Sequence, residues 1–207
     1  MLAPSLWIGP SPIVLASKST SRRALLAGAG LPFEIEPAEI DERGIEDELT
    51  ARGQAATGLA MALARAKALA VSGRRPAALV LGADQTLVLD GEPVHKAPTT
   101  SAAAAALMAM SGRSHRLTSA FALARDGVVA AEGVDSADLT MRALDAAQIA
   151  RYLETAGPAV LASVGAYQIE GLGAHLFESI SGDHATILGL PMLKLLAALR
   201  GLGLLAL

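Results

Sequence analysis

The segment LVLGADQTLVLDGEPVHK (79–96) places a carboxylic acid directly after an apolar run that is typical of a buried strand. A charge at the end of a core strand is costly unless it is paired or used. Asp84 could hold a divalent cation or accept a proton from water, since the carboxyl ends of strands in α/β proteins tend to open into ligand crevices. Lys96, beyond the Asp90-Gly91 turn, could return toward the same crevice. The alternative that the residue types leave open is an Asp84 that merely caps a turn.

A second group of residues with chemical potential lies in LASKSTSRRALL (15–26). Hydroxyl groups from Ser17 onward precede the guanidinium groups of Arg22 and Arg23 at a predicted helix start. Hydroxyls, free backbone N–H groups and guanidinium groups together form a cradle for an anion. A capped and solvated first turn is the alternative, because Ser and Thr favour helix starts in any case. The sequence lacks the Gly-x4-Gly-Lys-Ser/Thr pattern, so this is not a P-loop.

Two further candidates have little meaning when each is taken alone. The motif IDER (40–43) places Asp41 and Glu42 after a predicted strand, where a solvated surface loop is the ordinary interpretation. Lys67 lies in a predicted long helix, and exposure to solvent is again the simpler interpretation for such a residue. The four histidines are scattered without the i, i+4 spacing of a zinc helix, so we interpret them as incidental or as local hydrogen-bonding groups.

Composition limits the class of protein. The 207 residues fit one domain, which we expect to span residues 1–207. The chain is 52% hydrophobic but only 3% aromatic, which favours tight α/β packing of small side chains. The net charge of −3 gives no electrostatic footprint for a nucleic-acid polymer, although it does not exclude single nucleotides. The absence of cysteine excludes disulfides, thiolate metal sites and cysteine nucleophiles.

The first residues, MLAPSLWIGPSPIVLAS, look superficially like an export signal. They lack a basic beginning, and Pro4, Pro10 and Pro12 interrupt the apolar run. No uninterrupted apolar stretch of about 18 residues follows, as a transmembrane helix would need. We therefore expect a cytoplasmic protein without a membrane partner, with a weak signal peptide as the lesser alternative.

Short apolar runs alternate with helical patterns along the chain, which predicts a mixed α/β domain whose hairpins exclude a purely parallel sheet. The predicted strands are 12–17, 33–42 (entering a loop at Pro37), 77–84, 86–94, a hairpin over 114–142, and Gly-rich strand material from VGAYQIEG to AHLFESI. The predicted helices are Arg22–Ala29, about 46–70, 99–112, about 145–156 and 190–200.

Seven motifs, taken in order, connect these separate signals. They are LASKSTSRRALL, IDE, LARAKA, LGADQTLVLDGE with the following lysine, SGRSH, VGAYQIEG and SGDHATILGLP, which extend over about residues 13–200. This series resembles the Maf family of nucleoside triphosphate pyrophosphatases, also described as septum-formation inhibitors. The resemblance implies an elongated mixed β-sheet flanked by helices, with two lobes around a deep cleft. It also implies hydrolysis between the α- and β-phosphates, with Mg²⁺ or Mn²⁺ as the required divalent cation.

The resemblance assigns roles to residues by their place in these motifs. Asp84 matches the acid that accepts the proton of the attacking water, and Asp84 and Glu42 match acids that hold the cation. The implied substrate-binding residues are Ser17, Arg22, Arg23, Glu42, Lys67, Lys96 and Gln168. A triphosphate carries about four negative charges, so cations and a metal ion would supply the neutralisation that phosphoryl transfer needs.

Several alternatives stay open. GADQ and EGLGAHLFE are similar to the branch of the family that prefers 7-methyl-GTP, whereas Gln168 in AYQIEG is similar to the branch that hydrolyses dTTP and UTP. A nucleotide-binding regulator of cell division with little turnover, or a phosphatase that releases inorganic phosphate, would belong to other functional classes. Relatives in the family are often dimers, and the apolar C-terminal GLGLLAL fits either a buried tail or a homodimer interface.

Overall fold

The computed structural model describes residues 6–207, and of 55–57 it describes the backbone alone. Residues 1–5, which begin both the segment considered as an export signal and the predicted 1–207 domain, lie outside the described residues. The chain forms two compact units. The first contains the described residues up to Asp84 together with Ser119–Asp135 and Gly189–Leu207, and the second contains Gln85–Thr118 and Ser136–Leu188.

The sheet is mixed, as predicted, and has seven strands among residues 6–207. The strands are β1 (Ile13–Leu15), β2 (Phe33–Ile35), β3 (Val80–Leu89), β4 (Glu92–Val94), β5 (Ser114–Arg125), β6 (Val128–Met141) and β7 (Phe177–Ser181). Their order is β2-β1-β3-β5-β6-β7, with β4 paired to β3. Strand β1 is parallel to β2 and β3, whereas β4 and β7 run antiparallel to β3 and β6.

Helices flank this sheet, which confirms the predicted mixed α/β class. They are α1 (Thr20–Gly28), α2 (Glu42–Ala51), α3 (Ala55–Ser72), α4 (Thr100–Met110), α5 (Ala146–Ala156), α6 (His184–Ile187) and α7 (Met192–Gly201), with 3₁₀ turns at Pro158–Ala162 and Leu172–Leu176. Ser19, Thr99 and Asp145 cap α1, α4 and α5 through side-chain oxygens that accept a backbone N–H. Among the described residues, no helix is both long and apolar enough to cross a membrane.

The prediction of one long helix over about 46–70 was wrong, because α2 and α3 are separate helices. Gly53 adopts a φ of 68°, which lies in the left-handed region that glycine enters without steric cost. The N–H groups of Gly53 and Gln54 donate to the carbonyls of Thr50 and Leu49 at 2.9 and 2.8 Å. These bonds satisfy the carbonyls at the end of α2 and stop the helix there.

The prediction of two separate strands at 77–84 and 86–94 was also partly wrong. The strand β3 joins most of the first segment to residues 86–89 of the second, so Asp84 lies in its interior and not at its end. The strand then ends at Asp90-Gly91, whose φ values of 51° and 88° are those of a tight hairpin turn, as predicted. The polar residues within this apolar run therefore lie inside one strand, at a point where its surroundings change. They do not mark the end of the strand.

The Gly-rich region from VGAYQIEG onward was predicted to be strand and is mostly turns. Among residues 164–181, the one strand is β7, and Val164 forms an isolated bridge. Gly165 and Ala166 have φ values of 76° and 57°, which interrupt any strand. The carbonyl of Gln168 then accepts N–H bonds from Gly171 and Gly173, both at 3.1 Å, and closes a compact turn.

Alanine supplies the close packing of the first unit. Its buried residues include Ala60, Ala64, Ala68, Ala120, Ala122 and Ala124, from α3 and β5. The C-terminal tail packs beside residues 6–8, since the N–H of Ile8 donates to the carbonyl of Leu204 at 3.0 Å and that of Ala206 donates to Leu6 at 2.9 Å. Leu204 is buried, whereas Leu207 at the end of the chain is exposed.

Helix α3 packs closely against β3 at Gly82, and Gly82→Ala is expected to destabilise the protein. An added Cβ would lie 2.2 Å from the carbonyl oxygen of Ala64 and 2.5 Å from the amide nitrogen of Ala68. Because both are backbone atoms of α3, the helix itself would have to move, at a cost of about 2–3 kcal/mol. Urea unfolding measures this loss, and Gly28→Ala, whose Cβ would meet nothing within 4 Å, is the control. Equal stability of the two variants would contradict the prediction.

Candidate active site

The carboxylate of Asp84 is paired within the first unit. Lys67, on α3, places its Nζ 2.5 Å from Oδ1 of Asp84 and 2.8 Å from Oε1 of Glu42, the first residue of α2. The side chains of Lys67 and Asp84 are only 12% and 14% exposed, whereas Glu42 is 55% exposed. One ammonium group thus joins two carboxylates, and this pairing makes a charge in the interior of β3 tolerable.

The absence of a side chain at Gly82 makes this pairing sterically feasible. Gly82 precedes Asp84 by two residues on the same face of β3, and the Cβ of Ala68 lies 2.9 Å from where a Gly82 Cβ would be. Lys67, next to Ala68 on the helix, is therefore carried close to the strand.

Arg22 and Ser17 lie in the same unit, and Arg22 contacts the same stretch of β3. Arg22 is only 8% exposed. Its Nη1 donates to the carbonyl of Ala83 at 2.9 Å and to Oγ of Ser17 at 3.1 Å, and its Nε donates to the carbonyl of Gly189 at 2.8 Å. These three bonds involve Nη1 and Nε of the guanidinium group but not Nη2.

Burial lowers the pKa of Arg22 from its ordinary value, and the negative charges of Asp84 and Glu42 oppose that effect. The positive charge of the Arg22 guanidinium group is therefore stabilised by the same two carboxylates that Lys67 joins. Arg23, the next residue, is half-buried, and its Nε is buried without a hydrogen-bond partner among the described residues. The structure thus brings together five of the predicted residues directly (Ser17, Arg22, Glu42, Lys67 and Asp84), with Arg23 adjacent in sequence.

The remaining two predicted residues, Lys96 and Gln168, belong to the second unit. Lys96 has an exposed side chain, and its backbone forms an antiparallel bridge with Val164. Gln168 is half-buried and follows Val164 by four residues. The bridge therefore places the backbone of Lys96 beside the segment that leads to Gln168.

The side-chain oxygens in the first unit are compatible with a divalent cation. Among residues 6–207, no group of three or more His, Cys, Asp or Glu side chains could hold a metal ion. Asp84 and Glu42, however, meet at a single ammonium group. Mg²⁺ is usually held by one or two carboxylates, with substrate phosphates and water completing its coordination. The two carboxylates fit such a cation in the presence of a bound triphosphate.

Sequence reasoning did not identify two contacts near these residues. Gln85, next to Asp84, donates through Nε2 to the carbonyls of Thr186 and Ile187 at 3.1 and 2.8 Å. His115 was interpreted only as a local hydrogen-bonding group, and its Nε2 lies 2.7 Å from the hydroxyl of Tyr167, a residue 52 positions away. The signal that could have suggested this pair is the presence of His115 in SGRSH and of Tyr167 in VGAYQIEG, two of the seven motifs.

His115 is expected to make the stability of the protein depend on pH. Burial lowers its pKa from 6.5 to about 4, with the charge of Asp138 opposing the effect. Because the unfolded chain binds a proton near pH 6.5 and the folded protein does not, stability is fully present above pH 6.5 and is lost as pH falls toward 4. At pH 5 the loss from this group should be about 2 kcal/mol.

The measurement is the free energy of unfolding at pH 7.5 and pH 5 for the natural protein and for His115→Gln, which cannot titrate. Other ionisable groups contribute to both proteins, so their effects cancel in the comparison. We expect the natural protein to lose about 2 kcal/mol more than the variant. An equal loss in both would show that His115 is protonated in the folded state.

Comparison with known proteins shows to which family this chain is related. The Maf family profile, described as Maf-like protein, matches residues 12–202. A protein of Rhodopseudomonas palustris named nucleoside triphosphate pyrophosphatase is 51% identical over 203 residues, covering 98% of this chain and 99% of its own. A protein of Mesorhizobium japonicum named 7-methyl-GTP pyrophosphatase is 53% identical over 191 residues, covering 92% and 96%. Since both the profile and these relatives extend over nearly the whole sequence, the chain belongs to the Maf family.

Proposed function

We propose that this protein is a nucleoside triphosphate pyrophosphatase, which hydrolyses the bond between the α- and β-phosphates to give the monophosphate and pyrophosphate. The observation that carries the proposal is the joining of Asp84 and Glu42 by Lys67, with the buried guanidinium group of Arg22 on the same stretch of β3. In this proposal Asp84 activates the water, and the neighbouring cations bind the polyphosphate. The names of relatives whose sequences are about 50% identical support the same activity.

The reaction assigns a role to each of these residues. Asp84 accepts a proton from water as the water oxygen forms a bond to the α-phosphorus. The bond between that phosphorus and the bridging oxygen breaks, and pyrophosphate leaves with the electron pair. Lys67 and Arg22 place positive charge where the phosphates gather negative charge, and this lowers the barrier to the transfer. Ser17 fixes the direction of the Arg22 guanidinium group.

The proposed cofactor is a divalent cation, Mg²⁺ or Mn²⁺, held by Asp84 and Glu42. When bound, it would neutralise part of the charge of the triphosphate. Lys67 already joins these two carboxylates, so they are held near each other before the cation arrives. Arg23, adjacent to Arg22 at the start of α1, extends the positive charge available to the phosphates.

We propose Lys96 and Gln168, in the second unit, as further substrate-binding residues. Lys96 contributes positive charge, and Gln168 offers an amide that can donate to and accept from a base edge. Because the relatives carry both the general name and the name 7-methyl-GTP pyrophosphatase, the proposal includes both purine and pyrimidine bases. We further propose that the enzyme acts in the cytoplasm, with neither a nucleic-acid polymer nor a membrane as partner, and we keep a homodimer beside a monomer as the two oligomeric states to be tested.

The experiment is pyrophosphate release from dTTP, UTP, CTP, GTP and 7-methyl-GTP with Mg²⁺ or Mn²⁺. We expect release from one or two nucleotides, with none in metal-free buffer. Release of inorganic phosphate without pyrophosphate would indicate a phosphatase that attacks the γ-phosphorus. Tight nucleotide binding without release from any of the five would favour the regulatory alternative. Light scattering of the same sample measures the oligomeric state.

A further inference from the structure

A cluster of three rings, of which two are buried, lies in the second unit. His115, on β5, is 2% exposed, and Tyr167 is 4% exposed. Their ring centroids are 5.6 Å apart, and both rings pack against Phe177 at 5.8 and 4.8 Å. The hydrogen bond of 2.7 Å between Nε2 of His115 and the Tyr167 hydroxyl lies inside this cluster.

This polar pair is poorly explained as a source of stability alone. Nδ1 of His115 is buried and has no hydrogen-bond partner among the described residues. An unsatisfied buried polar atom is costly, and two apolar side chains of similar shape could fill the same space without that cost. What the pair provides, and an apolar pair would not, is one fixed position for the Tyr167 ring.

Tyr167 directly precedes Gln168 in the segment 164–173, which we call the Gln168 loop. On its upstream side, Gly165 packs under the Tyr167 ring, where an added Cβ would lie 2.7 Å from a ring carbon. On its downstream side, a Cβ at Gly173 would lie 2.4 Å from the carbonyl oxygen of Gln168. Because the backbone is closely packed on both sides of Gln168, a shift of Tyr167 would be transmitted to Gln168.

We propose that His115 is a positioning residue for nucleotide selection, which holds the Gln168 loop through the Tyr167 hydroxyl and so fixes the Gln168 side chain toward the base. The inference rests on the proposed function, since it takes the nucleotide to be the ligand of Gln168. His115 and Tyr167 belong to the second unit, whereas Asp84 and Lys67 belong to the first. Loss of the bond should therefore weaken nucleotide binding and selection while the chemical step continues.

The test compares Tyr167→Phe and His115→Leu, which both remove the bond, with His115→Gln, whose amide can still reach the hydroxyl. KM and kcat are measured for the preferred nucleotide and for one poor substrate. Loss of the bond should raise KM for the preferred nucleotide about tenfold, the equivalent of one hydrogen bond, with kcat within about twofold. Discrimination between the two nucleotides should fall by a similar factor, and His115→Gln should restore most of the original KM.

Ser111→Ala is the matched control, since Ser111 makes two hydrogen bonds with Leu144 in the same unit and lies outside the Gln168 loop. It should lose stability without a change in KM. A KM for Tyr167→Phe or His115→Leu no higher than that of Ser111→Ala would overturn the inference, as would a failure of His115→Gln to restore KM. A natural protein that releases no pyrophosphate would overturn the proposed function instead. Amide exchange of the Gln168 loop, which needs no turnover, would then show whether His115 still anchors it.

Discussion

Asp84→Asn is expected to lower kcat for nucleotide hydrolysis about 10³-fold, because it removes the group that takes the proton of the attacking water. Asparagine has nearly the same shape as aspartate, so the packing of β3 should survive. Lys67 keeps the carboxylate of Glu42 at 2.8 Å and is not left without an acidic partner. Nucleotide binding should therefore remain within a few fold of that of the natural protein.

The measurement is the initial rate of pyrophosphate release at saturating nucleotide, together with a binding titration using a non-hydrolysable analogue. Asp138→Asn is the control, since Asp138 also lies within a strand and pairs with a cation, Arg116, at 2.7 Å. We expect that variant to retain its activity. Turnover by Asp84→Asn at close to the natural rate would exclude Asp84 as the base.

Lys67→Met should cost both stability and activity. Methionine preserves the length of the side chain but removes the charge that joins Asp84 and Glu42, and the two carboxylates then repel each other. Asp84, only 14% exposed, loses its paired cation, which should lower the free energy of unfolding by about 3 kcal/mol. The positive charge near the phosphates is lost as well, and kcat should fall by about 10²-fold.

Urea unfolding and kcat are measured for Lys67→Met beside Glu42→Gln. Because Glu42 is 55% exposed, its loss should lower the free energy of unfolding by less than about 1 kcal/mol. The contrast between the two variants separates the buried pair from the solvated one. A Lys67→Met protein as stable and active as the natural one would show that the pairing has no role.

Local sequence signals predicted the turns and helix starts that depend on one or two residues. Asp90-Gly91 and the hairpin turn between β5 and β6 followed from dipeptides that favour φ > 0. The start of α4 at Thr99 followed from a side chain that can accept a backbone N–H, and α5 begins beside its predicted start at Asp145. Helix α1 begins at Thr20, two residues before its predicted start at Arg22. These features depend on a few neighbouring residues, which the sequence shows directly.

The site itself depends on contacts that no local pattern contains. Lys67 was interpreted, taken alone, as a solvent-facing residue, and it is instead the partner of Asp84 from a different element. Arg22 donates to Gly189, which lies 167 positions further along the chain. Periodicity and spacing cannot predict such contacts. The resemblance to a family suggested the same residues, but it did not supply their pairing.

Hydrolysis in ¹⁸O-labelled water shows whether water attacks the α-phosphorus. Mass spectrometry of the products identifies the phosphorus that received the label. We expect one ¹⁸O atom in the nucleoside monophosphate and none in pyrophosphate. Label in pyrophosphate or in inorganic phosphate would show that water attacks another phosphorus.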